Sequence, residues 1–583
     1  MKQRWMVETK KAEFDKLSRE LGVSPLVVRC MVNRGIETRE QMLKYLNGTL
    51  EDLYDPWQMK GIKEGIHSLK KARETGTRIG IASDFDCDGI FSAYILWKGF
   101  HTIGLSGKIY TPDRVTEGYG LNQRIVDEAC QEGVSLLVTC DNGIAAMEAV
   151  AYAKEKGMTV IITDHHEVQE RLPVADVIVD PKQPGETYPF QGLCGGGVAF
   201  KLICALYDAC QIPQEKKWEL LEYVAIATVA DVMELRDENR ILVRYGLQAL
   251  EHTSNVGLQA LLEVQGMQGK KLNAGHIGFI LGPCFNAAGR IATVQASFDL
   301  LMEQNYDCAL KKACKLKEIN EERKTMTEQG AKQAFQLLEG KALDDVILLL
   351  LSDVHESLVG IIAGRIKEAT GHPAIVFTRT EEGVIKGSGR SIEGYPMFDR
   401  LMPCKELMIR FGGHKMAAGM TLREENLEEL RKRLNEDSRL TEEDFSPIIR
   451  IDAAMPIGYA TERLLKEMEQ MEPFGVGNPK PVFAEQHFRI LQGRRLGKNK
   501  NVLKMTVCNQ YESRCDAMMF REIEEFEQFL VENFGEIEVQ RMYEGKENDI
   551  DVAFTYFPSV NEYNGKRTIQ IQIGEYCVVR GKE

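Results

Sequence analysis

Arg78-Ile79-Gly80-Ile81-Ala82-Ser83-Asp84-Phe85-Asp86-Cys87-Asp88-Gly89 is the stretch on which the fold turns. A short apolar run ends in three alternating aspartates, and an apolar helical stretch follows from Ile90 to Phe100. The pattern repeats downstream. Val134 to Thr139 ends at Asp141, Met158 to Thr163 ends at Asp164, and Val177-Ile178-Val179 ends at Asp180. Strands alternating with helical stretches predict βαβ units around a parallel sheet. Ligands of such sheets sit beyond the carboxyl ends of the strands, and the acidic residues fall there.

Working outward, the first 70 residues read as helical and mixed in charge, with no chemistry of their own. Gly195 to about Glu339 reads as mostly helical, closing in a polar, periodic stretch, Tyr306 to Leu338, expected as a connecting helix. Leu343 to Leu351 opens a second α/β unit that closes around Leu430. From Ile449 onward the texture is of short alternating strands, such as Arg567-Thr568-Ile569-Gln570-Ile571-Gln572-Ile573, and predicts a small antiparallel barrel. At roughly one domain per 150 residues, a chain of 583 residues is expected to hold about four.

The composition, 44% hydrophobic and 27% charged, excludes wholesale disorder. The longest purely aliphatic run, Val346 to Leu351, is far below the about 20 residues of a membrane span. The first residues lack the apolar core of a secretory signal. Fourteen cysteines without a C-x-x-C pair argue against zinc ribbons and disulfide frameworks. A cytoplasmic protein with reduced thiols and no membrane contact is expected. A net charge of −14 means that any nucleic acid must be held by local basic patches and metals.

Each acidic signal has an ordinary reading alone, because Asp-Asn-Gly is a common turn and an Asp after a strand is usually a helix cap. Together they favour a metal. Asp84, Asp86 and Asp88, then Asp141, then Asp164-His165-His166, converge on one sheet edge, and Asp231 breaks an apolar helical stretch. Crowded carboxylates repel unless cations neutralise them. Oxygen ligands with one or two imidazoles suit manganese or magnesium. They suffice for two ions about 4 Å apart, the arrangement that activates water against a phosphorus ester.

These motifs resemble, in order and spacing, the four successive motifs of the DHH phosphoesterase superfamily. Gly412-Gly413-His414 resembles the Gly-Gly-His signature of the DHH-associated domain. Three further stretches, Tyr110 to Gly120, Asn286-Ala287-Ala288-Gly289-Arg290 and Pro473 to Pro479, are similar to segments of the RecJ exonuclease family. The resemblance implies metal ligation by Asp84, Asp86, Asp88, Asp141, His165 and Asp231, with His166 close by in the catalytic set. Ser83 stands where the family carries Gly, and Cys284 where it usually carries Arg. The implied plan is an N-terminal helical segment (1–70), a parallel-sheet DHH catalytic domain (71–265) and a helical connector (266–342). An α/β DHH-associated domain (343–440) and an OB-like nucleic-acid-binding barrel (448–583) complete it.

A strand-specific nuclease needs phosphate grips that ignore sequence. Beside a DHH-associated domain, Gly387-Ser388-Gly389-Arg390-Ser391 looks like a phosphate pocket, with Ser388 and Arg390 as grips and Arg114 facing them. Arg290 and His414 join the expected phosphate contacts. Between Gln486 and Tyr511, Arg489, Arg494, Arg495, Lys498, Lys500 and Lys504 have no acidic neighbour, as expected of a basic hairpin tracking a backbone, with Arg494, Arg495, Lys498 and Lys500 as its contacts. Arg521 to Ile550, with ten acids against three bases, is expected to face away from the strand or meet a partner protein.

The resemblance implies a manganese- or magnesium-dependent hydrolase of single-stranded DNA that acts from the 5′ end, releases 5′-mononucleotides and serves DNA repair and recombination. It implies a monomer, with a single-strand-binding protein and a helicase as partners. The alternatives are an oligoribonuclease or cyclic-dinucleotide phosphodiesterase of the same superfamily, a non-catalytic replication scaffold, or a manganese pyrophosphatase. The first and last are shorter and leave the C-terminal barrel unexplained, and scaffolds have lost the ligands this chain keeps.

Overall fold

The computed structural model describes residues 4–114, 116–380, 383–497, 499–563 and 565–579. They fall into two units. One is Leu53–Pro447, and the other joins the described residues before Leu53 to those from Ile448 on.

The first unit is built on the parallel sheet that the opening stretch predicts. Its strands are β1 (Ile79–Ser83), β2 (Gly107–Tyr110), β3 (Leu136–Cys140), β4 (Thr159–Thr163) and β5 (Val177–Val179), in the order β2-β1-β3-β4-β5. All neighbours are parallel. β1 and β3 are buried throughout, as expected of central strands covered by helices on both faces. The chain leaves β1 toward β2 on one side and returns past it to β3 on the other. This reversal opens a crevice between the carboxyl ends of β1 and β3. Helix α1 (Cys87–Thr102) follows β1 and packs against α2 (Gly195–Ala209) and α3 (Leu221–Ala230).

Residues 274–291 then form one helical run whose middle, Ile277–Leu281, widens into a π-helical turn before α4 (Gly282–Ile291). Helix α5 (Tyr306–Leu338) spans 33 residues and leads to the second sheet. That sheet comprises β6 (Ile347–Leu351), β7 (Ala374–Arg379), β8 (Ile385–Arg390), β9 (Met408–His414) and β10 (Ala417–Leu422), in the order β9-β10-β8-β7-β6. Helix α6 (Val359–Thr370) packs across β7 and β8.

The second unit centres on β11 (Phe483–Leu496), β12 (Val502–Cys508), β13 (Arg514–Met519), β14 (Asp551–Tyr563) and β15 (Lys566–Val578). The order β11-β12-β13-β15-β14 closes into a barrel because β14 also pairs with β11.

The stretch expected as one N-terminal segment over 1–70 is divided. Arg4–Val7 is a strand paired in parallel with Ile448–Ile451, and Pro25–Asn33 and Arg39–Asn47 are helices whose apolar faces share the barrel's core. The helix Ile62–Thr75 belongs to the first unit. Helical periodicity says that an apolar face exists, not what covers it.

Candidate metal centre

The centre forms where four loops meet. After β1, Asp84 is buried and accepts a 3.3 Å hydrogen bond from the Gly120 N–H, while Asp86 caps α1 by accepting from the Gly89 N–H at 3.1 Å. The ordinary capping role is therefore real for Asp86, and it holds that carboxylate at the rim. Ser83 fits its place, since its hydroxyl donates to the carbonyls of Asp84 and Gly89 at 2.8 and 2.7 Å. Asp88 lies in the first turn of α1, and its two oxygens accept from the Gly195 and Gly196 N–H groups at 2.7 and 2.8 Å. Those are the leading amides of α2, whose positive end favours a carboxylate.

Asp141 follows β3 with φ of 60°, an uncommon backbone state for a side-chain-bearing residue. Asp164 and His165 follow β4. Asp231 caps the end of α3 rather than interrupting it, because Val232 takes a left-handed φ of 60° that terminates the helix.

The side chains converge on one point. His165 Nε2 lies 3.1 Å from Asp141 Oδ1, 3.7 Å from Asp231 Oδ2 and 3.8 Å from Asp88 Oδ2. Ligand atoms of Asp141, His165 and His166 lie within 4.8 Å of one another, as do those of Asp88, His165 and Asp231. Asp84 and Asp86 are near enough for their charges to act on Asp141. His166 Nδ1 lies 2.8 Å from Asp164 Oδ1, and its Nε2 lies 3.3 Å from the Tyr119 hydroxyl. Tyr119 in turn donates to the Asp141 carbonyl at 2.5 Å.

The electrostatics are those of a site built for cations. Burial, reinforced by neighbouring aspartates, pushes Asp84 and Asp141 well above the ordinary carboxylate range and Asp231 up to about 9. Burial holds His165 down at about 4, so it is a neutral imidazole near pH 7, the form that binds a metal. Burial also opposes charge on His166, but its hydrogen bond to Asp164 wins and raises it. Asp84 Oδ2, Asp141 Oδ1 and both ring nitrogens of His165 are buried without a hydrogen-bond partner. Such orphaned groups are costly unless something occupies them. Hard carboxylate oxygens plus one or two imidazoles fit Mn2+ or Mg2+.

Of the expected phosphate grips, Arg114, Arg290 and Arg390 lie near enough to one another and to Asp86 for their charges to interact. The Arg114 guanidinium stacks 4.6 Å from the centre of the Phe85 ring, within reach of the charges of Asp84 and Asp86. Arg290, at the end of α4, donates to the Ser357 carbonyl at 2.7 Å. Burial and the nearby Arg114 and Arg323 lower it to about 9. Ser388 and Arg390 alternate along β8 and so share a face of the second sheet. A Cβ on Gly360 of α6 would lie 2.8 Å from Ser388 Oγ and 2.9 Å from Arg390 Nη2, so any larger residue there would have to displace the ends of both grips. His414 pairs across Ala417 with Arg390 in register, on the same face two strands away. It is exposed and, among the described residues, is not drawn into the metal cluster.

Cys284 is buried, with Gln265 Nε2 donating to its sulfur at 3.1 Å. Arg323 of α5 brings a guanidinium into this neighbourhood, its Nε buried and unpartnered.

The basic hairpin is the tip of β11 and β12, but three of its cations are neutralised. Arg489 pairs with Glu512, Arg495 with Glu524 and Glu527, and Lys504 with Asp516. The acidic helix α7 (Ile523–Phe534) carries Glu524 and Glu527 to Arg495 of the hairpin. Arg494 and Lys500 are exposed and carry no ion pair among the described residues. Lys498 lies outside the described residues.

Residues 78–228 match the DHH family N-terminal domain, 344–438 the DHHA1 domain and 451–575 the RecJ OB domain. The single-stranded-DNA-specific exonuclease RecJ of Bacillus subtilis is 37% identical over 99% of this chain and 71% of its own length. RecJ of Escherichia coli is 35% identical over 81% and 85%. The chain belongs to the RecJ family. The crystal structure of Thermus thermophilus RecJ in complex with Mn2+ superposes with a TM-score of 0.81 at 26% identity, covering 100% of this chain and 80% of that one.

Reading the sequence missed Tyr119, Gly195, Gly196 and Asn286 as parts of this RecJ centre. Asn286 accepts from the Cys87 N–H at 2.8 Å and ties α4 to the aspartate loop. The run Gly195-Gly196-Gly197 after Cys194 was a usable signal for close backbone approach.

Proposed function

We propose that this chain hydrolyses single-stranded DNA from the 5′ end, releasing 5′-mononucleotides, with Mn2+ or Mg2+ as a two-ion cofactor. The observation that carries the reading is the convergence of Asp88, Asp141, His165 and Asp231 around unpartnered buried atoms, with Asp84 and Asp86 beside them. Those six residues would hold the ions, which supply water activation and charge neutralisation at a phosphodiester.

The chain's own part is positioning. The Gly195 and Gly196 amides fix both oxygens of Asp88. Asp164 orients His166 and favours its charged form, a donor suited to a phosphate oxygen or a leaving group. Arg114, Arg290, Ser388 and Arg390 grip phosphate, and His414 reaches it from the open side of the same sheet face. A terminal 5′-phosphate carries more charge than an internal diester and one more oxygen, so this cluster selects an end and sets polarity. Arg494, Lys498 and Lys500 hold the strand at the barrel, while Arg495 mainly braces α7 against the hairpin.

No described helix is long and apolar enough to cross a membrane, and the cysteines form no disulfide. A cytoplasmic monomer serving DNA repair and recombination beside a single-strand-binding protein and a helicase completes the reading, which the family's single-strand-specific exonucleases support.

The test is digestion of end-labelled single-stranded DNA, duplex DNA and RNA with Mn2+. Stepwise loss of mononucleotides from the 5′ end of the DNA strand is expected, and preference for RNA or for duplex would defeat the reading. Arg390→Ala should lower activity on 5′-phosphorylated strands roughly tenfold, about 1.4 kcal/mol in transition-state stabilisation. It should lower activity on 5′-hydroxyl strands much less. Equal losses would make Arg390 a general backbone contact.

A further inference from the structure

Among the described residues Phe279 is the most exposed large hydrophobic side chain, at 82%. It sits in the π-helical turn Ile277–Leu281, a departure from regular helix that is frequent at functional sites. The helical run carrying it is pinned to the metal centre further along. Gly282 packs where a Cβ would lie 3.4 Å from Ala230 and 4.0 Å from the Cys87 sulfur. Asn286 accepts from the Cys87 N–H, and Gly289 lies against the Phe85 carbonyl. Phe279 is three residues before Gly282 and seven before Asn286 on this run, and the π-helical turn itself packs against α3, the helix that ends at Asp231. Gly278 beside it faces Val229, two residues before Asp231.

A second apolar side chain lies at Asp231. Val232 directly follows Asp231, is 64% exposed and holds a left-handed φ of 60°. For a β-branched residue that backbone state is a genuine outlier, and such strain concentrates at ligand sites. Two elements that meet next to one proposed ligand, Asp231, thus present apolar surface to solvent. Nothing in metal binding or phosphate grip uses it. A nucleobase has the matching chemistry, being flat, weakly hydrated on its faces and next to the phosphodiester. Aromatic stacking on bases tolerates any sequence. It also requires a base whose face is uncovered, which the interior of a duplex does not offer.

We propose that Phe279, with Val232 beside it, is a stacking platform for one nucleobase of the strand seated at the metal centre, and that it contributes to single-strand selectivity. The proposal rests on the nuclease reading above and adds a base-contacting residue to it.

The test pairs a protein change with a substrate change. Full-length wild type and Phe279→Ala are compared on 5′-phosphorylated oligothymidylates carrying one abasic residue at each of the first four positions. Affinity is read by fluorescence anisotropy in chelator, and cleavage separately with Mn2+. Phe279 is exposed, so the variant should keep the wild-type melting temperature, and Phe279→Trp should retain binding. At one position the abasic residue should weaken wild type about tenfold and Phe279→Ala hardly further, and the ratio of single-strand to duplex affinity should fall in the variant. Losses that add independently at every position would overturn the platform, as would unchanged binding by Phe279→Ala. Wild type that binds as expected but does not degrade the strand would instead defeat the nuclease reading.

Discussion

At the scale of single residues the centre is defined by groups that gain from a cation and from little else. Asp141→Ala or Asp231→Ala should lower turnover roughly a hundredfold or more with the fold retained. A variant keeping most of its Mn2+-supported activity would remove that residue from the site. The same residues set a pH dependence. Asp231, pushed up to about 9, holds a proton in the metal-free fold that the unfolded chain releases near pH 4. Metal-free stability therefore falls as pH rises through that window, and the raised His166 has the same sign. His165, held down at about 4, acts oppositely, but its contribution is complete by about pH 6.5. From pH 7 to 8.5 the melting temperature of chelated protein should drop while that of Mg2+-loaded protein holds. A gap that stays constant would contradict the crowding argument. Most of the aspartates and both histidines were legible in the sequence because they follow three strands of one sheet, and Asp231 because it stands out at the end of an apolar helix. Tyr119 was not, because it acts through a hydroxyl on a backbone carbonyl, a contact that only the folded loop creates.

Among elements, the start of α2 and the basic hairpin make the sharpest claims. A Cβ at Gly195 would fall 2.5 Å from the Asp141 Cβ and 2.8 Å from its Oδ1. Gly195→Ala should therefore displace a ligand it does not itself replace, weakening Mn2+ affinity about tenfold or more. Calorimetric titration giving wild-type affinity would show that α2 can retreat without cost. At the hairpin, Arg494→Ala should reduce the salt dependence of long-strand binding, since an exposed unpaired cation releases a counterion. Arg495→Ala should leave that slope nearly unchanged, because Glu524 and Glu527 already occupy the guanidinium. Equal slopes for the two variants would erase the distinction. Composition revealed the cluster of basic residues but not its neutralisation, which depends on Glu512 and Asp516 at the next strand and on α7 folding back from beyond it. The edge strand β2 also escaped notice, since Gly107-Lys108-Ile109-Tyr110 is short and has no continuous apolar run.

Across the whole molecule, chain order and structural units disagree, and this was the part least visible in the sequence. The barrel core that holds Phe483, Phe488 and Met505 also holds Val27, Val28, Met31 and Met42 from the first 52 residues. Polar groups cross the same seam. Arg34 pairs with Asp452 at 2.9 Å in a buried setting, and Tyr45 donates to Asn478 Oδ1 at 2.8 Å. Removing the first 52 residues would take away the Arg34 partner of Asp452 and uncover the barrel core, where full burial of each large apolar side chain is worth about 1.5–3 kcal/mol. A domain of the barrel's size has only about 5–15 kcal/mol in hand. A chain beginning at Leu53 should therefore lose the barrel's melting transition or aggregate. The piece spanning residues 53–447 keeps every proposed metal ligand and both sheets. It should stay soluble, bind Mn2+ and cleave very short oligomers, while binding long strands weakly and with a flatter salt dependence. Differential scanning calorimetry of both trimmed chains beside the full one reads the outcome. A chain from Leu53 that keeps a wild-type barrel transition would mean that the N-terminal helices only decorate the barrel.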